Sequence, residues 1–128
     1  TAVHGDGHFE RLDVRNVVTG QTRSLPGSAL FIFIGVAPRT EAFASVVATD
    51  EKGFILTGAD ARAAGKGWGL DRDPLMFETN VPGIFAAGDV RSQFVRQITN
   101  AVGDATTAAL AAHQYVEQLK HERSKQPA

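Results

Sequence analysis

Residues 79–89 read TNVPGIFAAGD, in which a strand of small residues leads directly into an acidic turn. Ala86, Ala87 and Gly88 carry almost no side chain, so a ligand can approach their backbone closely. Asp89 offers a hydrogen-bond acceptor at the carboxyl end of the strand, which is where open α/β sheets bind their ligands. The stretch therefore predicts a ligand-binding strand and turn, with a buried core strand ending in an ordinary Gly-Asp turn as the open alternative.

A long helix is predicted shortly after this turn. The amino terminus of such a helix presents unpaired amides and about half a positive charge, so it can favour an anionic ring edge. Asp104, inside the helix, is interpreted as a solvated or locally bonded carboxylate rather than a catalytic acid. Small residues at Ala101, Gly103, Ala105 and Ala108 allow another element to approach closely. The apolar residues of the helix form one stripe at three- and four-residue spacings: Ile98, Ala101, Val102, Ala105, Ala108, Ala109, Ala112, Tyr115, Val116 and Leu119.

Strands are predicted upstream of the motif. His8–Arg15 alternates enough for a half-exposed strand, residues 18–21 form a turn, and a short return strand precedes Pro26. The run Ala29–Ile34 is continuously apolar, β-branched and aromatic, and we interpret it as a strand buried on both faces. Gly and Pro in residues 35–40 then break that strand. These elements predict the α/β fold class.

The segment between the hairpin and the motif carries weaker signals. Asp50–Thr57 predicts a turn and a short strand, with Gly53 free to take a positive φ. Gly58–Leu75 is rich in Gly, Ala and charged residues and is interpreted as a surface insertion. Within it, residues 65–69 resemble a phosphate loop superficially, but they neither follow a strand nor open a helix, so that interpretation is rejected. Residues 121–128 are polar and predicted to fray.

Composition narrows the classes of function. The chain has 128 residues, of which 43% are hydrophobic and 21% charged, as is typical of one globular domain. Its formal net charge of −1 and lack of a basic run argue against nucleic acid or an anionic membrane as a partner. Because there is neither an apolar span nor a signal peptide, we predict a cytoplasmic protein. No cysteine is present, and His4 and His8 lack the companions of a metal site.

Three motifs resemble those of thioredoxin-reductase-like flavoproteins, which have two dinucleotide-binding domains. They are T-x-x-P-G-I-F-A-A-G-D in residues 79–89, G-x-x-P-x-T in residues 35–40, and Arg96-Gln97-Ile98 in place of R-Q-A. The resemblance implies the C-terminal portion of a Rossmann-like flavoprotein, with a β-hairpin and buried strand followed by a strand, a loop and a long C-terminal helix. It also implies that residues 1–38 are the tail of an NAD(P)H-binding domain and residues 39–128 the C-terminal segment of an FAD-binding domain.

The resemblance further implies contacts to FAD. Asp89 would hydrogen-bond a ribityl hydroxyl, and the backbone amide of Val90 would face the pyrophosphate. Gln97 and Ile98 would contact the isoalloxazine ring, with Arg96 either a polar neighbour of the flavin or a solvated cation at the helix cap. The chain contributes no catalytic residue and no metal ligand. The implied cofactor-binding residues are Gly88, Asp89, Val90, Arg96, Gln97 and Ile98.

The implied activity is that of an FAD-dependent oxidoreductase passing hydride from NADPH to FAD and on to a disulfide or another acceptor. No G-x-G-x-x-G fingerprint occurs in proper context, so we expect a fragment that works with the remainder of its own chain, as a homodimer. The Gly58–Leu75 segment is similar to that of reductase-like proteins fused to a cyclic-nucleotide-binding domain. A non-catalytic regulatory or interaction module that retains the reductase fold stays open as an alternative, because cysteine is absent and Ile98 replaces Ala.

Overall fold

The computed structural model describes residues 2–65 and 67–125, which divide into two compact units, Thr1–Gly35 and Val36–Ala128. Lys66, in the middle of the rejected phosphate loop, and residues 126–128 of the predicted polar end lie outside the described residues. The division between the units falls close to the domain boundary predicted after residue 38. The assignment of either unit to a cofactor domain stays a prediction.

The first unit is a three-stranded antiparallel sheet in the order β1-β2-β3. The strands are β1 (Ala2–His4), β2 (Arg11–Arg15) and β3 (Thr22–Pro26). The predicted hairpin is confirmed, and its turn is closed by Asn16 Oδ1, which accepts hydrogen bonds from the amides of Val18 and Thr19, both at 2.9 Å. β1 was not predicted because three residues are too few to show an alternation. A contact of 2.7 Å between His4 Nε2 and Asp13 Oδ2 links it to β2.

The prediction of a buried strand at Ala29–Ile34 is wrong. These residues form no strand, and Phe33 and Ile34 are each 90% exposed. The rings of Phe31 and Phe33 stack with their centroids 6.4 Å apart, yet no described segment pairs with this run in a β-ladder. A central strand needs hydrogen-bonded neighbours and a covering layer on each face. The described part of the chain supplies neither, so the apolar run forms no strand and stays exposed.

The second unit contains the helices α1 (Gly58–Ala63) and α2 (Ile98–Lys125) and two short 3-10 helices, Glu41–Phe43 and Gly88–Val90. The predicted long helix is therefore confirmed, at 28 residues. The segment predicted as a surface insertion begins with a helix, α1, which its sequence of small and charged residues did not indicate. Phe85 forms an antiparallel bridge with Glu78, so the strand of small residues is the second arm of a tight hairpin.

A small core holds the second unit together. Val47, Ile55 and Ala86 are buried, and Val81 and Val90 pack against them. Ile55 is the central member because it bridges two segments, one on each side: antiparallel to Thr49 and parallel to Arg91. This arrangement places the turn that follows Ala86 directly beside the core.

The predicted turn before Ile55 is confirmed. Gly53 takes a φ of +87° there, as expected of glycine in a tight turn. The Asp50 carboxylate accepts hydrogen bonds from the amides of Lys52 and Phe54 at 2.9 Å and from the Ser92 hydroxyl at 2.7 Å. Burial raises the pKa of Asp50, but these hydrogen bonds outweigh it and hold the pKa below its ordinary value.

Helix α2 buries only part of the predicted apolar stripe. Ala108 of the stripe is buried, as is Ala111, which was not assigned to it, and the Tyr115 ring meets the Phe85 ring edge-on with centroids 6.2 Å apart. Ile98 and Val102, near the start of the helix, are 85% and 62% exposed. Packing within the unit therefore leaves these apolar side chains of the stripe open to solvent.

Candidate cofactor site

The turn at Gly88–Val90 depends on a glycine for two reasons. Gly88 takes a φ of +73°, a region that side-chain-bearing residues rarely adopt. A Cβ built on Gly88 would also lie 3.3 Å from the Cβ of Ala101 in α2. The prediction that small residues let α2 approach another element closely is thus confirmed for Ala101, whereas Gly103 has nothing within 4 Å of its position. The predicted approach of a ligand to Gly88 stays a prediction.

One open groove collects most of the predicted site residues. Its volume is about 450 Å³, and it lies between the Gly88–Val90 turn and the start of α2. Its lining residues are Asp89, Arg96, Gln97, Ile98, Ala101, Val102 and Ala105. Four of the six predicted residues therefore share one surface, although they come from a turn and from a helix start that are separated by a loop.

The other two predicted residues lie behind this groove. Gly88, the first residue of the turn, is buried. Val90 is half-buried against the core, and its carbonyl accepts a hydrogen bond of 2.9 Å from the amide of Ile55. Neither side chain lines the groove, so each can contribute only through its backbone.

Asp89 and Arg96 bring polar groups to this surface. Asp89 is exposed, and among the described residues its carboxylate has no hydrogen-bond or ion-pair partner. The Arg96 guanidinium lies 3.9 Å from the centre of the Phe54 ring and donates through Nη1 to the Phe94 carbonyl at 3.3 Å. Its Nε is buried and unpaired in the part of the chain that the structure describes. Arg96 is therefore held against an aromatic face, which differs from a freely solvated helix-cap cation.

Asp104 has a structural role that was not predicted from the sequence. Its side chain is 15% exposed, and Oδ2 accepts hydrogen bonds from the Gly88 amide at 3.1 Å and from Arg91 Nη1 at 2.5 Å. Both partners are distant in sequence, so the interpretation as a solvated or locally bonded carboxylate was wrong. The available signal was an acid beside the apolar stripe of a helix and an arginine two residues after the motif.

Glu78 directly precedes the motif and is fully buried. Its carboxylate binds Arg72 through two hydrogen bonds, at 2.7 and 2.8 Å, and accepts the amides of Leu75 and Gly83 at 2.7 and 2.9 Å. Burial raises the pKa of Glu78, but the hydrogen bonds outweigh it and hold the pKa below its ordinary value. The same contact raises the pKa of Arg72. This cluster ties the end of the insertion to the hairpin that carries the motif.

Comparison with known proteins identifies the family. Residues 1–105 match the model of the pyridine nucleotide-disulphide oxidoreductases. The chain belongs to this family. Among its relatives, a thioredoxin reductase of Listeria innocua is 39% identical over 117 residues, which is 91% of this chain and 32% of the relative. A thioredoxin reductase of Bacillus subtilis is 35% identical over 115 residues, covering 90% of this chain and 31% of the relative.

Solved structures agree with this assignment. A thioredoxin reductase from Streptococcus pyogenes has a TM-score of 0.64 at 32% identity, covering 91% of this chain and 33% of that protein. One from Giardia duodenalis has a TM-score of 0.63 at 30% identity, covering 90% and 33%. The chain thus has a thioredoxin-reductase-like fold, with its small antiparallel sheet and C-terminal helix. It spans about a third of the length of the relatives it matches.

The residues of the open groove are compatible with a flavin in three respects. Asp89 offers an unpaired acceptor, which suits a sugar-alcohol hydroxyl. The first amides of α2, beginning at Ile98, have no partner within the helix and carry its positive partial charge. The buried Nε of Arg96 is a further unpaired donor. By contrast, residues 2–65 and 67–125 contain no group of three His, Asp or Glu side chains able to hold a metal ion.

In the part of the chain that the structure describes, no helix is both long and apolar enough to cross a bilayer.

Proposed function

We propose that this chain is part of an FAD-dependent oxidoreductase that passes hydride from NADPH to FAD and on to a disulfide or another acceptor. Within it, this segment supplies the contacts to the ribityl and isoalloxazine parts of the flavin. The proposal is supported above all by the groove that Asp89 shares with Arg96, Gln97 and Ile98. A turn and a helix start that meet on one surface suit an extended ligand with a polar chain and a flat ring.

The individual roles are those that the resemblance to thioredoxin-reductase-like flavoproteins implies, and the chemistry of these residues suits them. The Asp89 carboxylate accepts a hydrogen bond from a ribityl hydroxyl, and the backbone amide of Val90 faces the pyrophosphate. Gln97 and Ile98 contact the ring, and the unpaired amides at the start of α2, beginning at Ile98, stabilise negative charge at the ring edge. Arg96, whose guanidinium carbon lies 3.9 Å from the centre of the Phe54 ring, adds a cationic donor beside the flavin. A bound flavin supplies the hydride acceptor, which no side chain of the chain provides.

Other parts of the full-length polypeptide bind the rest of the cofactors. We propose that residues 1–38 are the tail of an NADPH-binding domain and residues 39–128 the end of an FAD-binding domain, and that a homodimer delivers electrons to an acceptor not yet identified. A cytoplasmic location and the similarity to cyclic-nucleotide-fused reductases stay predictions. A non-catalytic module is not favoured, because the relatives carry the names of reductases.

The test is reduction of the intact protein under anaerobic conditions. We expect the full-length polypeptide to purify with FAD and its flavin absorption to bleach when NADPH is added. Two glycine fingerprints upstream of residue 1 are expected, and a C-x-x-C there would identify a disulfide as the acceptor. Residues 1–128 alone are expected to bind FAD weakly or not at all. Full-length protein that binds no flavin, or flavin that NADPH leaves oxidised, would contradict the proposal.

Asp89→Asn provides a sharper test of the site. The amide keeps the shape of the carboxylate but loses its charge, so FAD binding should weaken about tenfold, as expected for one hydrogen bond to a charged group. Glu117→Gln is the matched control because Glu117 is exposed on α2, where its carboxylate pairs with Lys120. Equal FAD affinity in the two variants would remove Asp89 from the site.

A further inference from the structure

We propose that Asp104 is a positioning residue for the flavin site: from α2 it holds the Gly88–Val90 turn so that Asp89 faces the groove. Asp104 does not itself line the groove. The inference rests on the proposed function, because it concerns how the same site is kept in shape. It assigns a role in cofactor binding to a residue that the motif does not include.

The contacts of Asp104 reach both ends of the turn. Its Oδ2 accepts the amide of Gly88, where the turn begins, at 3.1 Å, and Arg91 Nη1, directly after the turn, at 2.5 Å. The turn is closed on itself by the Arg91 amide, which donates to the Gly88 carbonyl at 3.0 Å. One oxygen atom of α2 therefore holds the residues on either side of Asp89 and Val90.

Arg91 is held by two further side-chain contacts, so its contact with Asp104 is directional. Its guanidinium carbon lies 4.3 Å from the centre of the Phe77 ring, and Nε donates to Thr57 Oγ1 at 3.0 Å. The Arg91 side chain is 20% exposed and that of Asp104 is 15% exposed, so solvent screens the pair only weakly. An arginine held in this way transmits a change at Asp104 to the backbone of the turn.

Gly88 explains why the turn needs an external anchor. Glycine has more backbone freedom than any other residue, and the positive φ of Gly88 is only one of its accessible conformations. A rotation at Gly88 would swing the next residue, Asp89, away from the groove. The hydrogen bond from the Gly88 amide to Asp104 restricts that rotation. This anchor comes from α2, the helix whose start forms the other wall of the groove.

The experiment measures the FAD dissociation constant of the full-length apoprotein by quenching of flavin fluorescence, in the wild type and in Asp104→Ala. We expect binding to weaken about tenfold in Asp104→Ala, because a charge-assisted hydrogen bond to the turn is lost. In Asp104→Asn the amide oxygen can still accept the Gly88 amide, so we expect a smaller loss. Glu117→Gln, an exposed acid on the same helix, should bind like the wild type.

A double-mutant cycle with Asp89→Asn separates positioning from general stability. If Asp104 acts through Asp89, Asp104→Ala should weaken FAD binding much less in the Asp89→Asn background than in the wild type. The same loss in both backgrounds, or no loss in the wild-type background, would overturn the inference. If Asp104→Ala fails to fold, Thr57→Val, which removes only the Nε partner of Arg91, replaces it and is expected to give a smaller, equally non-additive loss. Wild-type apoprotein that binds no FAD would contradict the proposed function instead.

Discussion

The small-residue strand of residues 84–87 and the apolar run of residues 29–34 both look like buried strands in the sequence. Only the first is ordered by contacts of its own, as the second arm of the hairpin of residues 77–86. In the hairpin, the Ala86 amide donates to the Phe77 carbonyl at 2.9 Å, and the fully buried Glu78 accepts four hydrogen bonds. In the apolar run, Phe33 is 90% exposed and no described segment supplies a ladder. An apolar sequence alone thus indicates only a candidate strand. An ordered strand also needs hydrogen-bond partners for its backbone and for its buried carboxylate groups.

Removing the Glu78 carboxylate should have the largest effect on the hairpin. Glu78→Ala leaves the Arg72 guanidinium and two backbone amides without their acceptor, and breaking a buried pair from one side costs about 3–5 kcal/mol. We expect a loss of this size in the free energy of unfolding, measured by urea denaturation followed by circular dichroism. Glu117→Gln, at an exposed pair, should leave the free energy of unfolding nearly unchanged. A similar small change in Glu78→Ala would mean that the hairpin does not depend on this cluster.

The contact between Arg72 and Glu78 can also be tested through the pH dependence of the free energy of unfolding. Because the folded pKa of Glu78 lies below its ordinary value of 4.5, its contribution to stability is fully present above that value and is lost as the pH falls through the lowered folded pKa. Glu78→Gln cannot titrate, so its unfolding free energy should decline less steeply in acid than that of the wild type. Parallel curves for the two proteins would contradict the assigned pKa shift.

Only some elements of the fold and of the candidate site could be predicted from the sequence. The β2–β3 hairpin and the start of α2 were predicted because local turn residues and helical periodicity specify them. The motif of residues 79–89 indicated Asp89, and the motif of residues 96–98 indicated the other three predicted residues of the groove. The pairs Arg72–Glu78 and Arg91–Asp104 were missed, since no local pattern indicates which buried charges meet. The prediction of a buried strand at Ala29–Ile34 was wrong because the sequence of a central strand does not show which segments would pair with it.

A smaller effect is expected at Gly83, in the tip of the same hairpin. Gly83 has a φ of +83°, and a Cβ built there would lie 2.7 Å from Tyr115 Cε1. Gly83→Ala should destabilise by about 2 kcal/mol, through backbone strain and a clash with a ring held by Phe85. Gly58→Ala is the control for strain alone, because Gly58 has a φ of +58° and nothing within 4 Å. If both variants lose the same stability, the Tyr115 contact does not contribute to holding α2 on the hairpin.

The smallest effect on stability is predicted for a substitution in the apolar run of residues 29–34. It tests most directly whether this run, unlike the hairpin, lacks stabilising contacts. Phe33→Ser replaces a ring that is 90% exposed, so the free energy of unfolding of the 128-residue chain should change by less than about 0.5 kcal/mol. Phe54→Ala, which removes a ring that is 6% exposed and packed under Arg96, should cost about 3 kcal/mol in the same assay. A loss of 2 kcal/mol or more in Phe33→Ser would mean that residues 29–34 are buried in solution. In full-length protein, where further chain can supply a sheet, the same substitution should become strongly destabilising, because an exposed aromatic run acquires its stability only from the partners that cover it.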